Sequence, residues 1–398
     1  MNQFLAASIF FICSLENFGS IRYAMLLPML FVSFFIILIS YDFKLTKINV
    51  ISFSGISLIT LVLGGMGYFE ILTYISNINY TFFEFLSATI FKIVTVFVCI
   101  ELVIRNINKI KNIVDITISI HALFFLIQFF LVYTTGYYPD PLSVLFDDPQ
   151  RFGSGFSIPI IGDIYRPTGF YEEPSTYSSF MLLFISLRFI LCNKIDRYII
   201  IGLTTMLLSL SAAAIIYGGL VALYLVFTRG KPIFKTLFLL GTPFLIAIFT
   251  FFIFTRLNAV SDASSIRMNL IITVFTQPID VILFGNGILG VPDALAEYII
   301  NNNLFKAGVS SLNDNGLWLF IIIKFGVVGL MLLVLLVFRS NIKPISKFMF
   351  VCLLITKLSF LYFSFFYYLF FIFYFKDNKD NKDNKDNKDN KDNKDNYG

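Results

Sequence analysis

Residues 151–179 read RFGSGFSIPIIGDIYRPTGFYEEPSTYSS, and they set the frame for the rest of the chain. The stretch carries Arg151, Arg166, Asp163, Glu172 and Glu173, and it is broken by Gly153, Gly155, Gly162, Gly169, Pro159, Pro167 and Pro174. Apolar runs over 113–134 and 175–192 flank it, each about the length that crosses a bilayer. A polar, glycine-rich loop at the rim of a helical bundle is a place to grip an anionic, lipid-borne substrate.

The composition agrees with a membrane setting. The chain has 398 residues, 57% of them hydrophobic and 14% charged, whereas a soluble domain is nearer a quarter charged. Fifty Phe and 20 Tyr suit lipid-facing and interfacial positions. The net charge of +5 comes from short basic loops and points to no nucleic-acid partner. Cys13, Cys99, Cys192 and Cys352 lie in or beside apolar runs, which is neither a disulfide framework nor a zinc site.

The expected fold is all-α and polytopic. Apolar segments fall near 3–19, 23–41, 48–68, 82–104, 113–134, 175–192, 198–212, 213–228, 234–254, 315–338 and 347–375, giving about eleven to twelve spans. The N-terminal run has no basic leader and reads as a retained first helix. The last segment contains Lys357 and is either one tilted helix or two broken halves. Basic residues alternate by loop: Lys44 and Lys47; Arg105, Lys109 and Lys111; Arg188, Lys194 and Arg197; Arg229, Lys231 and Lys235; Arg339, Lys343 and Lys347. Those loops are expected in the cytoplasm, which sends the long loops 135–174 and 255–314 to the periplasmic face of a bacterial inner membrane.

The second long loop is expected to hold a short helix over Ser264–Phe275, stopped by Gln277-Pro278 and followed by a tight turn at ILFGNGILG (282–290). Residues 1–375 form the membrane domain. From Lys376 to Asn396 the triplet Lys-Asp-Asn repeats; it has no apolar residue and reads as an unfolded tail.

Several side chains suggest chemistry. A guanidinium is a permanent, planar fork of donors that matches phosphate oxygens. Arg151 and Arg166, beside Gly162 and Gly169, therefore make a diphosphate clamp, or else they pair with Asp147, Asp148 or Glu172 and only pin the loop. Arg256 and Arg267 would close on the same anion from the other long loop, with Arg267 the stronger candidate. Asn286, Asn313, Asp314 and Asn315 suit sugar hydroxyls, or simply turns. Glu172, Glu173 and Asp163 are candidate general bases; the alternative is that the glutamates satisfy the arginines or cap the helix that starts at Pro174. Glu84, Lys92, Glu101, His121 and Lys324 lie inside apolar segments and should face protein or water. The sequence has no metal-ligand cluster, nucleophile elbow or phosphate loop.

Four pieces, in order, carry a family likeness. RPTGFYEEPS (166–175) resembles the outer-loop pattern of bacterial O-antigen polymerases and ligases. LSLSAAA (208–214) resembles their serine-rich helix end, with alanines where that helix usually has an arginine. RMNLIITVF (267–275) with ILFGNG (282–287) resembles the second-loop arginine and its glycine turn. LNDNGLW (312–318) with FGVVGL (325–330) resembles the start and exit of the late span. The likeness covers about 150–330.

The resemblance implies a metal- and cofactor-independent membrane glycosyltransferase of the Wzy type. Such a protein joins undecaprenyl-diphosphate-linked oligosaccharides, with a flippase and a chain-length regulator as partners. Arg166, Arg267 and Glu173 would then be catalytic. Arg151, Gly169, Glu172, Arg256, Asn313, Asp314 and Asn315 would bind substrate. Ligases of this kind usually have a histidine before the late-span asparagine; here Ser311-Leu312 precede Asn313, which favours polymerase. The alternatives are a ligase that moves glycan to lipid A core and, from another class, a polysaccharide or lipid-glycan transporter.

Overall fold

Long runs of Ile, Leu, Phe and Val can satisfy their backbone only as helices once they leave water. The structure, a computed structural model, follows that rule. It describes residues 2–41, 45–47, 49–58, 82–158, 162–192, 194–229, 261–300, 304–307, 311–340 and 342–372. The expected span at 234–254, Arg256 and the Lys-Asp-Asn tail lie outside the described residues.

The helices come in order as α1 (Asn2–Ser14), α2 (Gly19–Tyr41), α3 (Asn49–Leu58), α4 (Phe82–Glu101) and α5 (Ile107–Thr135). A short α6 (Pro141–Phe146) precedes a hairpin of β1 (Gly153–Ile158) and β2 (Gly162–Tyr165). Next come α7 (Pro174–Cys192), α8 (Arg197–Leu208) and α9 (Ala212–Arg229). After these come α10 (Ser261–Phe275), α11 (Ile279–Phe284), α12 (Asp293–Ile300), α13 (Leu317–Arg339), α14 (Pro344–Leu354) and α15 (Phe363–Ile372).

Among the described residues, five helices are long and apolar enough to cross a membrane: Glu16–Ile39, Phe83–Glu101, Asn108–Thr135, Pro174–Cys192 and Leu317–Arg339. The outward faces of α2 and α13 show Phe31, Phe34, Phe35, Met331, Leu332 and Leu335, as lipid contact requires. The hub is α7, buried from Pro174 to Phe189 except at Ser175 and Thr176 and packed on α5, α8, α9 and α14.

The mostly helical character holds, while the described residues add a hairpin and the short helices α6, α11 and α12, which were not expected. Residues 153–165 form an antiparallel hairpin, paired Gly153 to Tyr165 and Ile158 to Gly162. The expected helix in the second long loop is present and is helical already at Ser261, the first described residue of that loop. The last apolar segment is broken: α14 ends at Leu354, α15 starts at Phe363, and Lys357 lies between them. A second break falls inside α13, where Gly326 has φ 66°. There the backbone of α11 presses in, so that a Cβ on Gly326 would lie 2.1 Å from the Leu283 carbonyl oxygen. Asn286 N–H then donates to the Ile323 carbonyl at 2.8 Å.

Most of the charges flagged inside apolar segments find hydrogen-bond partners: Lys92 Nζ donates to the Leu361 carbonyl at 2.8 Å and Lys324 Nζ to the Gly290 carbonyl at 2.6 Å. Glu101 accepts from Thr46 N–H at 3.1 Å and from the Asn49 amide at 2.6 Å. Arg188, expected in a cytoplasmic loop, is instead fully buried inside α7 between Asp115 and Asp196, where it ties α7 to α5 and to the start of α8. His121 is fully buried, 2.7 Å from Ser14 Oγ and stacked on Tyr171, as a core histidine would be.

Candidate functional site

The loop that precedes α7 is bolted to the C-terminal end of α5. The Gln128 carboxamide clasps Gly169 on both sides, accepting from its N–H at 2.7 Å and donating to its carbonyl at 3.1 Å. Gln150 donates to the same carbonyl at 3.0 Å and to that of Tyr171 at 2.9 Å. Tyr133 brackets Tyr165 and Tyr138 brackets Thr168 through their hydroxyls. Gly169 has φ 62°, and a Cβ there would meet the Tyr177 ring at 2.8 Å. Only glycine suits that backbone and that approach. Its N–H is thus committed to Gln128 and is not displayed to a ligand.

The centre of the polar region is the break between α14 and α15. Its backbone is held from many sides. Tyr217 donates to the Ile355 carbonyl at 2.6 Å, and Leu317 N–H donates to the Thr356 carbonyl at 2.9 Å. Lys357 N–H donates to Ser179 Oγ at 3.1 Å, and Lys92 Nζ donates to the Leu361 carbonyl at 2.8 Å. Phe363 N–H, the first of α15, donates to Glu16 at 3.1 Å. Glu16 in turn pairs with Arg22.

Lys357 joins the two long loops. Its Nζ lies 2.7 Å from Glu173, at the end of the first loop, and 2.7 Å from Asp314, at the end of the second. Glu172 pairs with Arg151 at 2.8 Å, and Arg151 N–H donates to the Glu172 carbonyl at 2.8 Å. Asn313 reaches Tyr362 Oη at 3.5 Å, and the Asn315 amide donates to the Arg267 carbonyl at 2.7 Å. Arg151, Glu172, Glu173, Asn313, Asp314, Asn315 and Arg267 are therefore brought together by contacts around one break, and Lys357 and Tyr362 join them.

Arg166 stands apart from that set. Its guanidinium donates to the Gly153 carbonyl at 2.8 Å and its N–H to Phe152 at 2.7 Å, which closes the base of the hairpin. In the sequence Lys357 shows only as a charge inside an apolar segment. A lysine in the middle of such a span, costly unless paired, is the signal that marks it.

The two glutamates differ electrostatically. Burial pushes the Glu172 carboxyl above the ordinary glutamate range, with Arg151 opposing and the neighbouring Glu173 and Asp148 adding to the rise. Burial also pushes Glu173 up, but the Lys357 ammonium, its hydrogen bond and Arg151 outweigh that and hold it below. Arg151 and Arg267 keep exposed guanidiniums, whereas the Lys357 side chain is only 14% exposed.

An apolar groove of about 330 Å³ starts beside this cluster. Phe360 and Leu361, just past Lys357, line it with Ile56, Leu332, Leu336 and Leu369. Among the described residues no group of three or more His, Cys, Asp or Glu is placed to hold a metal ion.

The fold defines a mostly helical protein whose long apolar helices suit a membrane and whose charged residues gather where one of its apolar segments is interrupted. No protein-family model matches the chain, and no curated protein or solved structure matches it.

Proposed function

We propose that the chain is an inner-membrane glycosyltransferase that polymerises lipid-diphosphate-linked oligosaccharides on the periplasmic face. One observation carries the reading. A charged cluster built from both long loops adjoins an apolar groove, with Lys357 in the former and Phe360 and Leu361 in the latter. That pairing suits an amphiphile with a charged head and a hydrocarbon tail.

In this reading Arg151 and Arg267 hold the diphosphate, because their guanidiniums are exposed and offer charge-assisted donors. Charge stabilisation matters most where the leaving group is already good, as a diphosphate is. Of the two glutamates, Glu172 is the better general base. Its raised affinity for protons brings it closer to the working pH, while the depressed carboxyl of Glu173 is a poor acceptor. Glu173 and Asp314 then act through Lys357, holding the loops in register. Asn313 and Asn315 fix the start of α13. Arg166 shapes the hairpin.

The test is deletion of the gene, sizing of the surface glycan, and complementation with Arg267→Ala at matched protein level in the membrane. Single-repeat glycan in both strains supports the reading, and long chains made with Arg267→Ala overturn it.

A second reading has its own observation. Both α13 and the α14–α15 segment are interrupted, at Gly326 and at 355–362, and broken helices are common in transporters. A lipid-glycan transporter would leave its substrate in the inner leaflet when deleted. A polymerase would leave single units in the outer leaflet.

A further inference from the structure

A second cavity, of about 520 Å³, lies away from the Lys357 cluster, between the end of α10, α11 and the turn that leads to α12. Thr273, Thr276, Gln277, Asp280, Phe284 and Asp293 are on its wall. Its polar groups are fixed. The Gln277 amide donates to Asn286 Oδ1 at 2.7 Å, and the Asn286 amide donates to the Ile323 carbonyl at 2.9 Å. The hydroxyls of Thr273 and Thr276 donate to the backbone of their own helix, at 2.8 Å to Asn269 and 2.9 Å to Ile272. That leaves their lone pairs for a ligand donor.

The exposed charge on this cavity is acidic. Asp280 and Asp293 are exposed, no Lys or Arg is among the described residues on the wall, and the neighbouring cation, Lys324, is buried behind Gly290 and donates to its carbonyl at 2.6 Å. Among the described residues neither carboxylate is in an ion pair. Each sits in the first turn of a helix, where the dipole favours an acid. That local reason does not bring both onto one concave surface. Phe284, 65% exposed, adds an apolar face.

Carboxylates, a fixed carboxamide pair, hydroxyl acceptors and an exposed ring are the groups that recognise a polyol. Such polar groups set orientation in a ligand site, while the apolar wall supplies contact. We infer that this cavity is a saccharide-binding site that takes uncharged or amino-bearing sugars and rejects acidic ones. The helix α10 links it to the cluster described above. Arg267 and Thr273 are six residues apart on that helix, about 9 Å along its axis. A ligand laid along α10 meets cations first and carboxylates second. For the direction of arrival only, the inference rests on the lipid-diphosphate reading: phosphates at Arg267, the sugars they carry at Asp280 and Asp293.

The test uses the full chain in nanodiscs and saturation-transfer NMR with three free trisaccharides: chitotriose, its fully deacetylated triamine, and trigalacturonate. Transfer is expected to the first two and not to the third. Thr276→Trp, at an exposed position, fills the cavity and should abolish transfer. Asp280→Lys should invert the preference between triamine and trigalacturonate. The proposal is overturned by no transfer to either non-acidic sugar, by equal transfer to trigalacturonate, or by transfer unchanged in Thr276→Trp. The measurement needs neither a lipid diphosphate nor turnover. Polymerisation can therefore fail as a reading while this site stands, and the converse.

Discussion

Lys357 Nζ and Glu173 Oε1 lie 2.7 Å apart although 184 residues separate them in the chain. The same ammonium holds Asp314 at 2.7 Å. One cation therefore fixes the end of each long loop against the interruption in the last apolar segment. At low exposure, desolvation offsets much of the attraction in such a pair, but removing one member is costly because it leaves a buried charge uncompensated.

Lys357→Met should leave two carboxylates facing each other without a counter-charge. We expect a loss on the order of 2–3 kcal/mol, the scale of a charged hydrogen bond that is removed with its partner left behind. Thermal unfolding in detergent reads it. Adding Glu173→Gln and Asp314→Asn to Lys357→Met should recover part of the loss; an additive further loss would mean the three do not act together.

The pH dependence follows from Glu173. Its folded carboxyl is held below the ordinary value by Lys357 and Arg151 against burial. A depressed acid contributes stability above its unfolded value, about 4.3, and that contribution is lost as pH falls through the lower folded value. The stability gap between wild type and Glu173→Gln should be constant above about pH 5 and shrink below about pH 4. A gap that widens on acidification would contradict the pairing.

Gly169 and Gly162 both have positive φ, 62° and 82°, but only Gly169 has a neighbour at the missing Cβ. Gly162→Ala should cost about 1 kcal/mol, the backbone penalty alone. Gly169→Ala must also displace the Tyr177 ring and strain the Gln128 clasp, and should cost at least twice as much. Melting temperatures of the two variants side by side decide this.

Arginine replacements should separate by position. Arg151→Lys and Arg267→Lys are expected to retain part of any glycan polymerisation, since charge survives and the planar fork does not. Arg166→Ala should lower activity only as far as it loosens the hairpin that it closes at Gly153. The distinguishing measurement is limited proteolysis of the 153–165 loop beside glycan chain length: Arg166→Ala should raise cleavage, and the alanine variants of Arg151 and Arg267 should not.

The long apolar helices were legible because hydropathy and length suffice for them, whereas the short α6, α11 and α12 were not, since six to eight residues carry too little periodicity. The helix carrying Arg267 was legible from its stop signal at Gln277-Pro278. The hairpin was not, because Pro159 and the scattered glycines mask any alternation of polar and apolar residues. Gly169 is expected to let a phosphate approach; instead the Tyr177 ring occupies the place of a Cβ, and the backbone N–H is taken by Gln128, 41 residues upstream on α5. Sequence spacing shows that a glycine is needed and not what comes near it. Lys357 was visible as an oddity, yet its two partners are 184 and 43 residues away, and such pairings exist only once the helices are packed.

The late position of Lys357 has a consequence for biogenesis. Chains are delivered to the membrane from the N-terminus, so Glu173 and Asp314 are inserted before their shared counter-ion leaves the ribosome. Until the closing segment docks, those two carboxylates lack the ammonium that joins them, and the nascent bundle is loose at the ends of both long loops. A chain stopped short of residue 357 should thus be degraded rather than accumulate as an inert protein.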